Sequence, residues 1–284
     1  MTSEPTGRRD ATNRKCIDVI RDAALEYLSH GEPSAGVIRG IWQVDCLFQP
    51  DARERVFNYL FVVAQTVHQG CAYSFGPCGI RGELEGLIGS HYRAGLTSSL
   101  ALEIAILDSI HASFSPEPFA HLELCGMPAE KARQRAYIIA SEVARLRRES
   151  SRARALRVVN VGAVASIIAE LQSWGHAVTA TDLDPSLVGK QICGIEVISG
   201  VRTAEVVAES DVAVVTGMTV SNGTIDNIIE AARGSGTQII MFAESGASFA
   251  GVYLSQGIDC VISERFPFYI FQGASEIGIH RRPM

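Results

Sequence analysis

The stretch that most constrains the fold is Arg157 to Asp184, RVVNVGAVASIIAELQSWGHAVTATDLD. Val158, Val159 and Val161 form an apolar β-branched run that stops at Gly162. Ile167, Ile168, Leu171 and Trp174 then recur on one helical face, and Gly175 ends that pattern. Ala177 to Thr181 is a second β-rich run that closes on Asp182. A strand, a helix and a strand of this length make a right-handed parallel crossover. The turn after the first strand places backbone N–H groups and a helix N-terminus at the carboxyl edge of the sheet, where anions are favoured. Asp182 follows Gly162 by about 20 residues, the separation at which a carboxylate meets ribose hydroxyls in nucleotide-binding folds.

The chain of 284 residues is long enough for two cores. A net charge of −6 argues against nucleic acid or an anionic membrane as partner. No stretch reaches the roughly 20 apolar residues of a membrane span, and Met1 to Arg14 has no apolar core of a secretory signal. Seven scattered cysteines fit a cytoplasmic protein with reduced thiols. We expect a small-molecule ligand, no nucleic acid, no membrane and a homo-oligomer, a homodimer for instance.

Before the crossover, Ile17, Ile20, Ala24 and Leu28 share a helical face, with Asn13 as a possible cap. Val37 to Phe48, Val56 to Val67 and Cys71 to Phe75 read as the strands of an antiparallel meander. Gly76 to Gly95 is glycine-rich and polar, and reads as a long loop. Thr97 to Phe114 is apolar almost all round, which predicts a buried helix. Ala129 to Ser150 predicts a second long helix with Ala136, Ile139, Val143 and Leu146 as its apolar stripe and its basic residues on a solvated face. After the crossover, runs at 195–198, 211–216, 238–243 and 259–262 alternate with helical segments, which predicts a parallel sheet covered on both faces. The expected fold is α/β: a small α+β N-terminal domain (1–128, antiparallel meander plus helices), a linking basic helix (129–154) and a Rossmann-like parallel-sheet domain (155–284).

Three strand ends meet near the switch point of such a sheet: Asn160–Val164, Gly217–Thr224 and Glu244–Ser248. The second is rich in small polar residues and runs into a capped helix. Gly217 would let a backbone or ligand approach closely, and Met218, Thr219, Asn222 and Thr224 would line the site beside Gly162, Ala163 and Asp182. The turn keeps only Gly162 of the Gly-x-Gly-x-x-Gly fingerprint, which weakens NAD. An adenosyl ligand such as S-adenosylmethionine is the alternative, with Asp182 on its ribose. A metal ion is the other cofactor to consider. His68, Cys71, Cys78 and His91 could supply ligands, as could His121, Glu123 and Cys125, although neither set repeats a paired cysteine spacing. Asp108 and His111, one turn apart on the buried helix, read as a mutually satisfied polar pair.

The stretches Gly70–Phe75, Ala105–Ala112 and Gly217–Thr224 together resemble a two-domain bacterial and archaeal family named for heavy-metal chelation. The resemblance covers most of residues 15 to 280 and implies an enolase-N-terminal-like domain followed by a Rossmann-like domain. It implies fold more firmly than activity. The chain departs from it at Ala243-Glu244-Ser245, where such proteins carry a Gly-Pro-Ser type turn, and the basic helix is longer than in the family pattern.

Two functions follow as expectations. The first is an enzyme with an adenosyl ligand between the domains, doing transfer or cyclisation chemistry. Glu244 would face the ligand's sulfonium or amino group, Tyr73 would be its catalytic companion, and the segment from Cys71 to His91 would close the cleft. The second is a metal-chelating binding protein. A ligand sensor without catalysis is a third possibility on the same fold.

Overall fold

The computed structural model describes residues 14–31, 33–49, 56–76, 81–149 and 155–283. Among these the chain forms a three-stranded and a nine-stranded sheet. The small sheet is the expected meander, β1 (Gly40–Phe48), β2 (Phe57–Gln65) and β3 (Gln69–Tyr73), paired antiparallel in chain order. Helix α1 (Cys16–His30) precedes it. The polar stretch expected to be a loop instead contains a short helix, α2 (Arg81–Leu87). Glu83, Leu84, Glu85 and Leu87 supply enough helix-forming residues to outweigh Gly82 and Gly86 over two turns.

Helix α3 (Leu100–His111) is the buried helix. Ser99 caps it, its hydroxyl accepting the Leu102 N–H at 3.3 Å. Every residue from Ala101 to His111 is buried, because the meander packs on one side and the large sheet's helical layer on the other. Gly70 makes the first contact possible: a Cβ there would collide with the backbone of Ala105 and Ser109.

The large sheet is built from β5 (Arg157–Val161), β6 (Ala177–Asp182), β7 (Gln191–Ile192), β8 (Ile195–Ser199), β9 (Val212–Thr216), β10 (Gln238–Ala243), β11 (Cys260–Glu264) and β12 (Ser275–Arg281). An early strand, β4 (Ala120–Leu124), joins it at one edge, antiparallel to β12. The strand order β4-β12-β11-β10-β9-β5-β6-β8-β7 contains a parallel core, β11-β10-β9-β5-β6-β8. Counted from β5, that core is the 3-2-1-4-5-6 order of dinucleotide-binding folds, with its switch point between β5 and β9. Alternate side chains feed two cores. Val159, Val161, Ala213 and Val215 pack with α3, α8 (Ile225–Ser235) and the α9 helix (Ala250–Ser255). Val158, Val212, Val214 and Ile240 pack with α4 (Pro128–Glu149) and α5 (Ala165–Ser173). The short α6 (Thr203–Ala208) and α7 (Met218–Ser221) complete the connections. Among the described residues no helix is long and apolar enough to cross a membrane.

Candidate ligand-binding cleft

A cavity of about 1150 Å³ opens at the carboxyl edge of the parallel strands, on the switch point. Its floor is the β5–α5 turn and the ends of β6 and β9; its roof is Phe57, Tyr59, Tyr73 and Phe75 of the meander. The segment from β2 to just beyond β3 therefore supplies the cover. The 77–80 part of the expected closing loop lies outside the described residues.

The turn is held by side chains that the sequence places around it. Asn160 is fully buried, and its Oδ1 accepts the Val164 N–H at 2.9 Å. Gly162 sits at φ +84°, and a Cβ there would come within 3.0 Å of the Thr216 hydroxyl. Glycine is thus required both by conformation and by space. Asp182 does structural service: Oδ2 accepts the Ala163 N–H at 2.9 Å and Oδ1 the Asp184 N–H at 2.8 Å. The residue also borders the cavity.

The β9–α8 loop is more self-contained than expected. The space beside Gly217 is filled by protein: a Cβ would lie 2.8 Å from the Ser245 carbonyl oxygen and 3.1 Å from Ala243 Cα. Gly217 thus serves the packing of the β9 and β10 ends, and it also borders the cavity. Thr219 donates to the Thr216 carbonyl at 2.8 Å, while Asn222 Oδ1 accepts the Thr224 N–H at 3.0 Å and its hydroxyl at 2.7 Å. Met218, Thr219, Asn222 and Thr224 all border the cavity.

At the far end of the cavity lies a charged group that sequence reading placed in solvent. Arg135 of α4 has a side chain only 4% exposed. Its guanidinium is stacked between two rings, 3.9 Å from the centroid of Tyr269 and 4.3 Å from that of Phe242. Nη1 donates to Glu244 Oε1 at 3.0 Å and lies 3.6 Å from Glu264 Oε2. Lys131, one turn earlier, is also buried and donates to the Phe271 and Gly273 carbonyls at 2.7 and 2.8 Å. The spacing Lys131, Arg135, Ile139 and Glu142/Val143 puts both cations on the buried stripe of α4 rather than on a solvated face. That periodicity was the available signal. Burial pushes the Glu244 carboxyl up to about 7; Arg135 pulls it down and Glu264 pushes it up again.

Tyr73 presents its ring to the cavity, edge-on to Tyr59, and its backbone N–H donates to Ser245 Oγ at 2.9 Å. Asp108 and His111 are not paired with each other. Asp108 accepts from Cys71 N at 2.9 Å, Ser248 N at 2.8 Å and Ser248 Oγ at 2.6 Å, so it ties α3, the meander and the β10–α9 loop together. His111 donates from Nε2 to the Ile20 carbonyl at 3.1 Å, and burial lowers its pKa to about 4, so the ring is neutral.

The metal candidates are spread apart. His68 is exposed at the β2–β3 hairpin, and His91 is exposed where it bridges to Val37 and packs over Gly36. Cys71 is buried inside β3, with burial and the nearby Asp108 pushing its thiol well up. Cys78 lies outside the described residues. His121 and Glu123 are exposed on the edge strand β4, and Cys125 donates to Glu123 at 3.2 Å. Among the described residues no group of three or more His, Cys, Asp and Glu side chains is arranged to hold a metal ion.

The structure is a mixed α/β fold in which a large, mostly parallel sheet carries a cavity at its switch point and a small antiparallel sheet lies over it. Residues 148–264 match the profile of the DUF364 family, described as "Putative heavy-metal chelation". The resemblance expected from the sequence is therefore found, over the Rossmann-like half. A protein of unknown function from the same family in Desulfitobacterium hafniense DCB-2 has a similar structure: 14% identity, 87% of this chain and 86% of that one covered, TM-score 0.54. Another of that family, from Pyrococcus horikoshii, aligns over 88% of this chain and 87% of its own at 13% identity and TM-score 0.43. At such identities the likeness shows the fold alone. No curated protein matches the chain.

Proposed function

We propose that the protein binds a small organic molecule in the cleft between its two domains, with a nucleoside-type portion in the Rossmann-like half. The observation that carries this reading is the 1150 Å³ cavity at the switch point, bordered by Gly162, Ala163 and Asp182 below and by tyrosine and phenylalanine rings above. A planar base can stack on such rings, and Asp182 lies at the edge of the cavity opposite them. The cavity is large enough for an adenosyl ligand such as S-adenosylmethionine. Glu244, held near neutrality by burial, could exchange a proton with a bound molecule, and Tyr73 stands beside it in the wall; these two are the candidate catalytic residues if the protein is an enzyme.

The second reading, metal chelation, is favoured by the family description over residues 148–264. Isothermal titration calorimetry of the full chain separates the two. We expect S-adenosylmethionine or its homocysteine product to bind more tightly than NAD, and zinc, nickel or cobalt alone to bind weakly. Tight stoichiometric binding of a bare metal, with no heat from any adenosyl compound, would favour chelation instead.

A further inference from the structure

At this end of the cleft two carboxylates share one guanidinium. Glu244 and Glu264 converge on one nitrogen of Arg135, Nη1, which reaches Glu244 at 3.0 Å but stands 3.6 Å from Glu264, beyond a good hydrogen bond. Lys131 is the other buried cation nearby. Its charge acts on Glu264, whose Oε1 also accepts the Tyr269 N–H at 2.6 Å. Glu264 thus has a donor on Oε1 and a second cation nearby, while its Oε2 is buried with no hydrogen-bond partner among the described residues. Glu244 shares a single guanidinium with another carboxylate and is the one of the pair that lines the cavity, with 20% of its side chain exposed. Arg135 turns Nη1 to the two carboxylates and its plane to the two rings, and its buried Nε has no hydrogen-bond partner among the described residues.

Around that carboxylate the wall is aromatic. Phe57, Tyr59, Tyr73 and Phe75 all border the cavity and touch one another in sequence, with centroids 5.6, 6.5 and 5.1 Å apart. Aromatic faces beside a carboxylate that borders a cavity are a setting in which onium cations are recognised, because the ring quadrupole and the carboxylate attract the same charge and neither demands the small radius of a metal ion.

We propose that this end of the cleft is a cation-binding box, in which Glu244 and the rings of Tyr59 and Tyr73 receive an ammonium or sulfonium group of the ligand. The proposal rests on the cleft being a ligand site and adds the charge of what enters it. In the empty cleft Glu244 takes up a proton near neutrality, since burial outweighs Arg135 and Glu264 adds to the push. The arriving cation replaces that proton. The other groups facing Glu244 keep theirs: Tyr59 and Tyr269 and the Cys71 thiol are all pushed up by burial. Cation affinity therefore rises with pH between about 6 and 8 and levels off above, as Glu244 becomes ionised.

The test uses probes that carry no adenosine, so its failure is distinct from failure of the adenosyl reading. Choline and its neutral carbon isostere, 3,3-dimethylbutan-1-ol, are titrated into the full-length protein and followed by NMR at pH 6 and pH 8. We expect choline to bind about tenfold more tightly than the alcohol at pH 8, with a smaller preference at pH 6. Glu244→Gln, which keeps an acceptor for Arg135, is expected to remove the preference and its pH dependence. Equal affinity of the two probes in the wild-type protein at both pH values, binding of neither, or a preference that survives Glu244→Gln would each overturn the proposal. The wild-type pH comparison stands even if the variant does not fold.

Discussion

At the scale of single residues, Gly162 is the position where fold and site meet. Its left-handed backbone and its contact with Thr216 both exclude a side chain. Gly162→Ala should therefore destabilise the protein by about 1–3 kcal/mol, read as a lower midpoint in urea, and should weaken any ligand of the cleft by moving the β5–α5 turn. A variant with unchanged midpoint would show that the turn is not under this constraint. Asp182 illustrates a different lesson. Its distance from Gly162 identified it as a ribose acceptor, and the structure gives its carboxylate two backbone N–H groups to hold first. A sequence spacing locates a carboxylate at the carboxyl edge but cannot say how many of its lone pairs the local backbone will use.

At the scale of elements, what was legible depended on periodicity. The meander and the β5–α5–β6 crossover carry β-rich runs and a 3.6-residue repeat, the buried helix α3 is apolar almost all round over a helical length, and each is found. Helix α2 was hidden by Gly82 and Gly86, which weaken a helix without forbidding it. Strand β4 was hidden because its pairing with β12 spans about 150 residues of chain, and no local pattern announces a partner so distant. Arg135 and Lys131 were taken for surface residues because charged side chains are almost never fully buried unless paired; their partners, Glu244, Glu264 and two carbonyls, come from remote segments. Arg135→Ala should cost about 3–5 kcal/mol, since it leaves two buried carboxylates without their shared cation. Thermal or urea melts check this, and a loss below about 1 kcal/mol would mean that the pair behaves as a surface salt bridge.

At the scale of the whole molecule, the two domains are joined by bonds that also shape the cleft. Asp108 connects α3 to Cys71 and Ser248, Tyr73 N–H reaches Ser245, and Gly246 N–H reaches the Cys71 carbonyl at 3.0 Å. The loop carrying Glu244 is thereby fixed against the meander, and the roof and floor of the cavity are positioned by the same contacts. The sequence pointed to the floor through its glycine turn, to the wall through Glu244 and to the roof through Tyr73 alone; Phe57, Tyr59 and Phe75 were unread, since alternating aromatic residues in a strand look the same whether they face a core or a ligand. Hydrogen exchange followed by mass spectrometry, on the full chain with and without saturating S-adenosylmethionine, tests the account most directly. Protection should appear together in the turn after β5, in the 216–224 loop and in β2 and β3, because a ligand in the cleft touches floor and roof at once. Absence of protection there, with protection around His68 and His91 when only a divalent metal is added, would contradict it.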